Sequence, residues 1–464
     1  MLSGVVANPV SAKKAGPTSQ AGTSRPNILF IMADDLGYAD LSCYGRREYE
    51  TPAIDSLAAN GVRFLQGYAN SAVCSATRTG LITGRYQNRL PVGLEEPLGV
   101  RDVGLPPEHP TLPSLLKKQG YETSLIGKWH LGSLPKYGPL QSGYDHFWGF
   151  RGGGVDYFTH KGFAGPDLWD GDDPINAEGY MTDLLGQRTI DSISNSAKGT
   201  KPFFISLHFS APHWPWEGPG DAAEARRLDE SGKPTAIFHY DGGSMEIYSQ
   251  MVTRMDMQVG RIIEHLSNLN LLDNTIIIFT SDNGGERFSN TWPFTGRKTE
   301  LLEGGLRIPT IVQWPRRITG GKTSDQVVIS MDWLPTLLAA AGGAPAADYP
   351  SDGMNLIPHI VDGAPSIERT LSWRYKNLDQ QACRQGDWKY LKILENTFLF
   401  NVVDDPMERA NLKDRFPEKY AQVKAAYDAW DAQMLPLSPD TSSHGFTADQ
   451  LADHYGAKMQ NSVR

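Results

Sequence analysis

"NILFIMADD", residues 27 to 35, is a run of apolar side chains stopped by two adjacent aspartates. A strand covered on both faces reads this way, because neither side of the pleat needs a polar residue. The figure recurs. "ETSLIGKWH" (122–130) ends in Lys128 and His130, "PFFISLHFSAPHWPW" (202–216) ends near His213, and "TIIIFTSDNGG" (275–285) ends in Asp282 and Asn283.

Helical patterns lie between these runs. "TPAIDSLAANGVRF" offers Thr51 as cap, Pro52 at the first helical position and Gly61 as stop; "HPTLPSLLKKQG" repeats the scheme and ends at Gly120. The stretch Ser244–Asn274 is the longest helical pattern, with Met251, Met255 and Met257 expected in the core. Strands alternating with helices predict an α/β fold: a large mixed, mostly parallel sheet sandwiched by helices. Ligands of such sheets sit beyond the carboxyl ends of the strands. The polar residues that end the four runs therefore mark the expected site.

After about Ser366, "TLSWRY", "QQACRQGDWKYLKIL" and "NTFLFNV" read as short antiparallel strands, and "PEKYAQVKAAYDAWDAQM" as an amphipathic helix. The expected organisation is a disordered leader (1–25), a catalytic domain (26–365) and a C-terminal α+β subdomain (366–464) with an antiparallel sheet and without strong catalytic signals of its own.

The chain has 464 residues, a net charge of −9 and 40% hydrophobic composition. That acidity argues against nucleic acid and against a basic membrane-binding face, so a bound anion must be drawn by a local cluster. Three cysteines, Cys43, Cys74 and Cys383, are too few and scattered for a disulfide framework or structural zinc. No apolar run is long enough to span a membrane. The first residues make a poor secretory signal.

Asp34 and Asp35 at one strand end repel each other unless a cation lies between them; the bland alternative is a helix cap plus an exposed charge. Asp282 and Asn283 pose the same choice, and two such pairs favour a hard cation with oxygen ligands, calcium before magnesium. Cys74, in "SAVCSATRTGLITGR" (71–85), opens a helix-like run, where a small buried filler, a thiolate nucleophile and raw material for another group are all open. The three residues between Cys74 and Arg78 are too few for a cysteine-phosphatase loop. His208 reads as a core or supporting histidine. Lys298 sits in a glycine-flanked loop, with Arg297 and Arg307 expected to add to a local positive field.

Cys74-Ser75-Ala76-Thr77-Arg78 followed by "TGLITGR" resembles the signature of the formylglycine-dependent sulfatases of the alkaline phosphatase superfamily. "MADDLGYADLSCYG", "GKWHLG", "APHWP", "SDNGG" and "GRKTELLEGGLRIP" follow that family's order. The resemblance implies that Cys74 is oxidised to formylglycine by a maturation enzyme and hydrated to a diol. One hydroxyl then attacks sulfur and expels the alcohol, and the other expels sulfate. It implies one calcium ion per chain held by Asp34, Asp35, Asp282, Asn283 and residue 74. Arg78 and Lys128 would hold diol and sulfate, His130 would be the base, and His213 and Lys298 would bind sulfate and assist the departing oxygen. The family's commonest form has proline where this chain has Ala76.

The activity so implied is hydrolysis of sulfate monoesters, arylsulfatase-like, on aryl sulfates or sulfated carbohydrates. The rivals are a phosphonate monoester or phosphodiester hydrolase of the same superfamily, which resembles a site with histidine where Asn283 stands, and an inactive sulfate-binding scaffold. The aromatic stretches "YDHFWGFRGGGVDYFTH" and "PHWPWEG" are candidates for the substrate pocket, against core packing. The resemblance implies export to the periplasm or beyond, with a cytoplasmic location if no signal precedes the chain. "TADQLADHYGAKMQ" is a candidate oligomerisation segment.

Overall fold

A computed structural model describes residues 25–96, 98, 102–447 and 450–454. The expected leader lies outside the described residues except for Arg25, and the candidate oligomerisation segment lies largely outside them.

"NILFIMA" forms β1 (Asn27–Ala33), and its continuous apolar character has a direct cause. Ile28, Phe30 and Met32 face one core layer, with Leu81, Ile82 and Trp333. Leu29, Ile31 and Ala33 face the other, with Leu57, Met251 and Ile262. Both faces are dry, so every position must be apolar. β1 lies in the middle of a ten-stranded sheet. In chain order the principal other strands are β2 (Val62–Phe64), β3 (Glu122–Lys128), β4 (His146–Phe150), β5 (Phe203–His208), β6 (Thr275–Ser281), β7 (Thr310–Gln313) and β8 (Lys322–Ser324). Across the sheet they run β8-β2-β7-β6-β1-β5-β3-β4, and two short strands, Trp169–Asp170 and Asp173–Pro174, complete the far edge. The central five, β6-β1-β5-β3-β4, are parallel, and β7 is antiparallel to β6. Their carboxyl ends share one rim.

Helices cover both faces. α1 (Pro52–Ala59), α4 (Met181–Ser196) and α5 (Met245–Asn268) pack on one side. α2 (Cys74–Thr83), α3 (Leu112–Lys118) and α6 (Trp333–Ala340) pack on the other. α1 ends at Asn60, one residue before the expected Gly61 stop, and Asp256 of α5 accepts from the Ala53 and Ile54 amides in its first turn. α3 carries the Thr111/Ser114 capping box. α5 is the longest helix but ends at Asn268, and a 3-10 turn (Leu272–Asn274) follows. Met251 and Met255 are buried, whereas Met257 is 40% exposed, since a residue two further along a helix points about 200° away. Among the described residues no helix is long and apolar enough to cross a membrane.

The C-terminal residues form a four-stranded antiparallel sheet, β9 (Thr370–Tyr375), β10 (Gln380–Gln385), β11 (Trp388–Ile393) and β12 (Asn396–Asn401), with α7 (Pro417–Asp431) against it. Leu371, Trp373 and Leu391 share a core with Tyr68, Val73 and Ala76, so this sheet packs directly behind α2.

Candidate active site

Four neighbouring parallel strands deliver the site. β1 leads into Asp34 and Asp35, β6 into Asp282 and Asn283, β3 ends at Lys128 just before His130, and β5 is followed by His213. α2 enters from one face with Cys74 in its first turn and Arg78 one turn on, on the same side. Lys298 arrives on the loop after β6. All ten side chains expected from the sequence are buried and brought together.

The contacts are specific. Lys128 Nζ donates to Asp34 Oδ2 at 2.6 Å, Lys298 Nζ to Asp35 Oδ2 at 2.7 Å, and Arg78 Nη2 to Asp282 Oδ2 at 2.8 Å. Asn283 Nδ2 donates to Asp35 Oδ1 at 2.7 Å, and the Asp35 amide to Asp282 Oδ1 at 3.1 Å. The Cys74 thiol faces Asp34 Oδ1 at 3.5 Å and Asp35 Oδ1 at 3.9 Å. His213 Nδ1–H donates to the Trp214 carbonyl at 2.8 Å, which leaves Nε2 facing Asp35 Oδ2 at 3.6 Å.

Backbone conformation serves these positions. Asp35 (φ 61), His130 (φ 54) and Thr299 (φ 73), which follows Lys298, are all left-handed. Each costs roughly 1–3 kcal/mol, and such costs cluster where a site needs a particular direction. At His130 the strand has already ended, and a turn carries the ring toward the site.

Burial and charge decide the protonation states. Burial, then Asp282, push the Cys74 thiol well above its ordinary value, so the residue as encoded is a poor thiolate. Burial, then Asp282, raise Asp34, whereas Arg78 and Lys128 overcome burial at Asp282 and hold it below the usual carboxylate range. Burial, then Lys128, hold His130 well below its ordinary value; burial, then Lys298, do the same at His213. Burial opposes the charge on Lys298, yet Asp35 keeps it raised. Both imidazoles are neutral beside a retained ammonium.

Three carboxylates (Asp34, Asp35, Asp282) face three cations (Arg78, Lys128, Lys298), so the cluster is close to neutral and a divalent ion would leave it with a surplus for an anion. Asp34, Asp35, Cys74 and His213 each bring a ligand atom within 4.8 Å of the others, a buried group able to hold a metal ion. Asn283 Oδ1 is buried and, among the described residues, without a hydrogen-bond partner, although its amide nitrogen is used twice. An orphaned amide oxygen among carboxylates fits a hard cation better than the nitrogen of His213, which already stands beside Lys298 and Asp35.

One expectation is corrected, and two others gain detail. Arg307 pairs with Glu303 at 2.6 Å and Arg297 with Asp453 at 2.5 Å, so neither adds to the field at Lys298. Tyr144, Phe147, Trp148, Phe150 and Tyr157 are buried core residues, as is Trp216. From the C-terminal segment, Gln380 bonds the Thr299 carbonyl and the Leu301 amide and so holds the Lys298 loop. His208 is buried with Nδ1 3.2 Å from Arg78 Nη1 and supports it. Glu96 gave no sequence signal: it accepts from the Ser75 amide at 3.1 Å and from the Ser75 hydroxyl, and its Oε1 lies 3.9 Å from His130 Nε2.

The sulfatase family profile matches residues 26–344. The chain is 31% identical to arylsulfatase J of Mus musculus, over 86% of this chain and 74% of that protein. It is 33% identical to N-acetylgalactosamine-6-sulfatase of Homo sapiens, over 73% of this chain and 66% of that protein. The crystal structure of Ps i-CgsB superposes with a TM-score of 0.81 at 28% identity, covering 89% of this chain and 94% of that one. The same protein in complex with k-i-k-neocarrahexaose gives 0.80. With the profile spanning the whole parallel sheet and its rim, the chain belongs to the sulfatase family.

Proposed function

We propose that this sulfatase hydrolyses sulfate monoesters of a carbohydrate, using a nucleophile made from Cys74. The observation that carries the reading is the closed set of buried polar residues around Cys74, supplied by four adjacent strand ends and α2, in a chain whose thiol is itself poorly ionised. The carbohydrate class is supported by similarity to N-acetylgalactosamine-6-sulfatase and to a protein solved with an oligosaccharide.

Conversion of Cys74 to formylglycine supplies a hydrated aldehyde, a nucleophile able to release sulfate by re-forming its carbonyl. Asp34, Asp35, Asp282, Asn283 and residue 74 would hold a divalent cation, calcium by donor chemistry, which supplies positive charge against the sulfate oxygens. Arg78 and Lys128 orient residue 74 and the sulfate. Lys298 keeps its proton and donates to the departing oxygen, while His213, its Nδ1 proton spent on Trp214, presents the Nε2 lone pair. His130, held neutral, takes the proton when residue 74 is regenerated.

Mass spectrometry of the tryptic peptide Phe64–Arg78 reads the conversion directly. Release of inorganic sulfate from N-acetylgalactosamine 6-sulfate then tests the activity, against a phosphodiester of matched leaving group. Unconverted cysteine in a host competent for this motif, or faster phosphodiester cleavage, overturns the reading.

A further inference from the structure

We propose that the C-terminal segment 438–446 forms the outer wall of the leaving-group subsite, and that His444 there contacts the sugar ring of the sulfate ester. This rests on the carbohydrate reading above.

The segment runs between the two histidine walls of the site. Lys376 Nζ holds its start, donating to the carbonyls of Ser438, Pro439 and Thr441. At Ser442 the tail exchanges two hydrogen bonds with the loop behind α2: the Glu96 amide donates to the Ser442 carbonyl at 2.8 Å, and the Ser442 amide to Glu95 Oε2 at 3.0 Å. Glu96 is the residue whose carboxylate faces His130, so this end of the tail belongs to the His130 wall. Two residues on, the Tyr375 hydroxyl clamps His444 from both sides, accepting from its amide at 3.0 Å and donating to its carbonyl at 2.6 Å. The His444 ring lies parallel to Phe238, at 12° and 6.2 Å. Phe238 packs on Trp214 at 4.7 Å, and the Trp214 ring lies 3.9 Å from that of His213. His444 therefore joins the His213 wall.

The chemistry of this wall suits a sugar. Burial, then the Lys298 ammonium, hold the His444 imidazole neutral, down at about 3. Among the described residues its Nε2 is buried without a hydrogen-bond partner, and so is the indole Nε1 of Trp214. A buried polar group of this kind is destabilising until a ligand satisfies it. Beside them Phe163, 5.2 Å from Phe238, is 40% exposed, a large apolar face left to solvent next to the site. An aromatic face takes the C–H side of a sugar ring, and unpaired ring nitrogens take its hydroxyl and ether oxygens; a plain aryl group uses only the first.

The test uses the full chain carrying converted residue 74, as wild type, His444→Ala, His444→Gln and Phe163→Ala, on N-acetylgalactosamine 6-sulfate and 4-nitrophenyl sulfate. For His444→Ala we expect KM for the sugar ester to rise about tenfold with kcat within about threefold, and the sugar-to-nitrophenyl ratio of kcat/KM to fall about tenfold. His444→Gln, which keeps a donor, recovers most of the lost ratio. Phe163→Ala, at a partly exposed position, lowers the same ratio. An active wild type whose ratio is unmoved in all three variants overturns the His444 contact alone, and so does an equal loss of kcat on both esters. A converted wild type that cleaves neither ester overturns the sulfatase mechanism beneath it.

Discussion

Asn283 spends its amide nitrogen on Asp35 and on the Gly284 carbonyl, and leaves its oxygen buried among carboxylates with no partner among the described residues. A cation is the partner such an oxygen lacks. Asn283→Ala is expected to weaken calcium binding by about 10- to 100-fold. The readout is the calcium dependence of the thermal midpoint, which follows ligand occupancy independently of turnover. A variant whose midpoint rises with calcium as in wild type removes Asn283 from the ligand set. Glu217 makes a second prediction at this scale. Burial, then the Asp156 carboxylate, raise it from 4.5 to about 9, and its Oε2 accepts from the Tyr157 amide at 3.2 Å. Between those values the folded chain holds a proton that the unfolded chain has lost. Its contribution is complete below 4.5 and drains away as pH rises toward 9. Glu217→Gln removes that drain, so its stability relative to wild type should climb by roughly 1.4 kcal/mol per pH unit across the window. Denaturant unfolding at pH 5 and pH 8 measures it; parallel curves for the two proteins would place the Glu217 proton elsewhere.

At the scale of elements, the loop Gly152–Gly154 lies against two rings of the candidate site, those of His130 and His213. A Cβ built on Gly153 would stand 2.8 Å from the His130 imidazole, and one on Gly154 would stand 2.7 Å from Trp214 and 3.2 Å from His213. Gly153 has no positive φ, so Gly153→Ala changes nothing but this approach. It should displace the His130 ring and lower kcat by about 10- to 100-fold. The stability cost should stay within about 1–3 kcal/mol. Full activity in a folded Gly153→Ala protein would mean that His130 tolerates the shift and is not the base. The strands that deliver this site were legible because burial on both faces forces an unbroken apolar run, and the first polar residue after each run marks the rim. The helix periods were legible for a similar reason, and Met257 shows the cost of counting methionines without the 3.6-residue period. Glu96, Glu217 and His444 were not legible. Their partners stand 21, 60 and 69 residues away at Ser75, Tyr157 and Tyr375, and nothing local distinguishes them from surface residues. Arg297 and Arg307 failed in the opposite sense: sequence proximity to Lys298 suggested a shared field, but side-chain direction gave each its own carboxylate.

For the whole molecule, the question is whether the parallel sheet and the C-terminal sheet are one unit or two. The structure joins them with buried charge. Lys389 of β11 is fully buried and reaches Glu303 at 2.9 Å and Glu408 at 2.9 Å. Glu303 opens the short helix (Glu303–Leu306) that follows the Lys298 loop, and also accepts from Tyr68 at 2.6 Å and Arg307 at 2.6 Å; its amide donates to Glu408 at 2.7 Å. Lys389 and Arg307 hold Glu303 below the usual carboxylate range against its burial, whereas burial, opposed by Lys389, puts Glu408 at about 7. Removing the lysine leaves two carboxylates facing each other in a dry interface. Lys389→Met is therefore expected to cost about 3–5 kcal/mol, more than a core truncation of similar volume would predict from packing alone. Because the same segment positions Lys298, the variant should lose kcat as well as stability, with the loss growing above pH 7, where Glu408, no longer lowered by Lys389, ionises later than in the wild type. Calorimetry decides the architecture. A single transition, lowered as a whole in Lys389→Met, means that the two sheets fold as one body and that the second sheet is part of the active-site scaffold. Two transitions, with only the C-terminal one lowered and activity retained between them, would mean that the sulfatase sheet holds Lys298 in place without its neighbour.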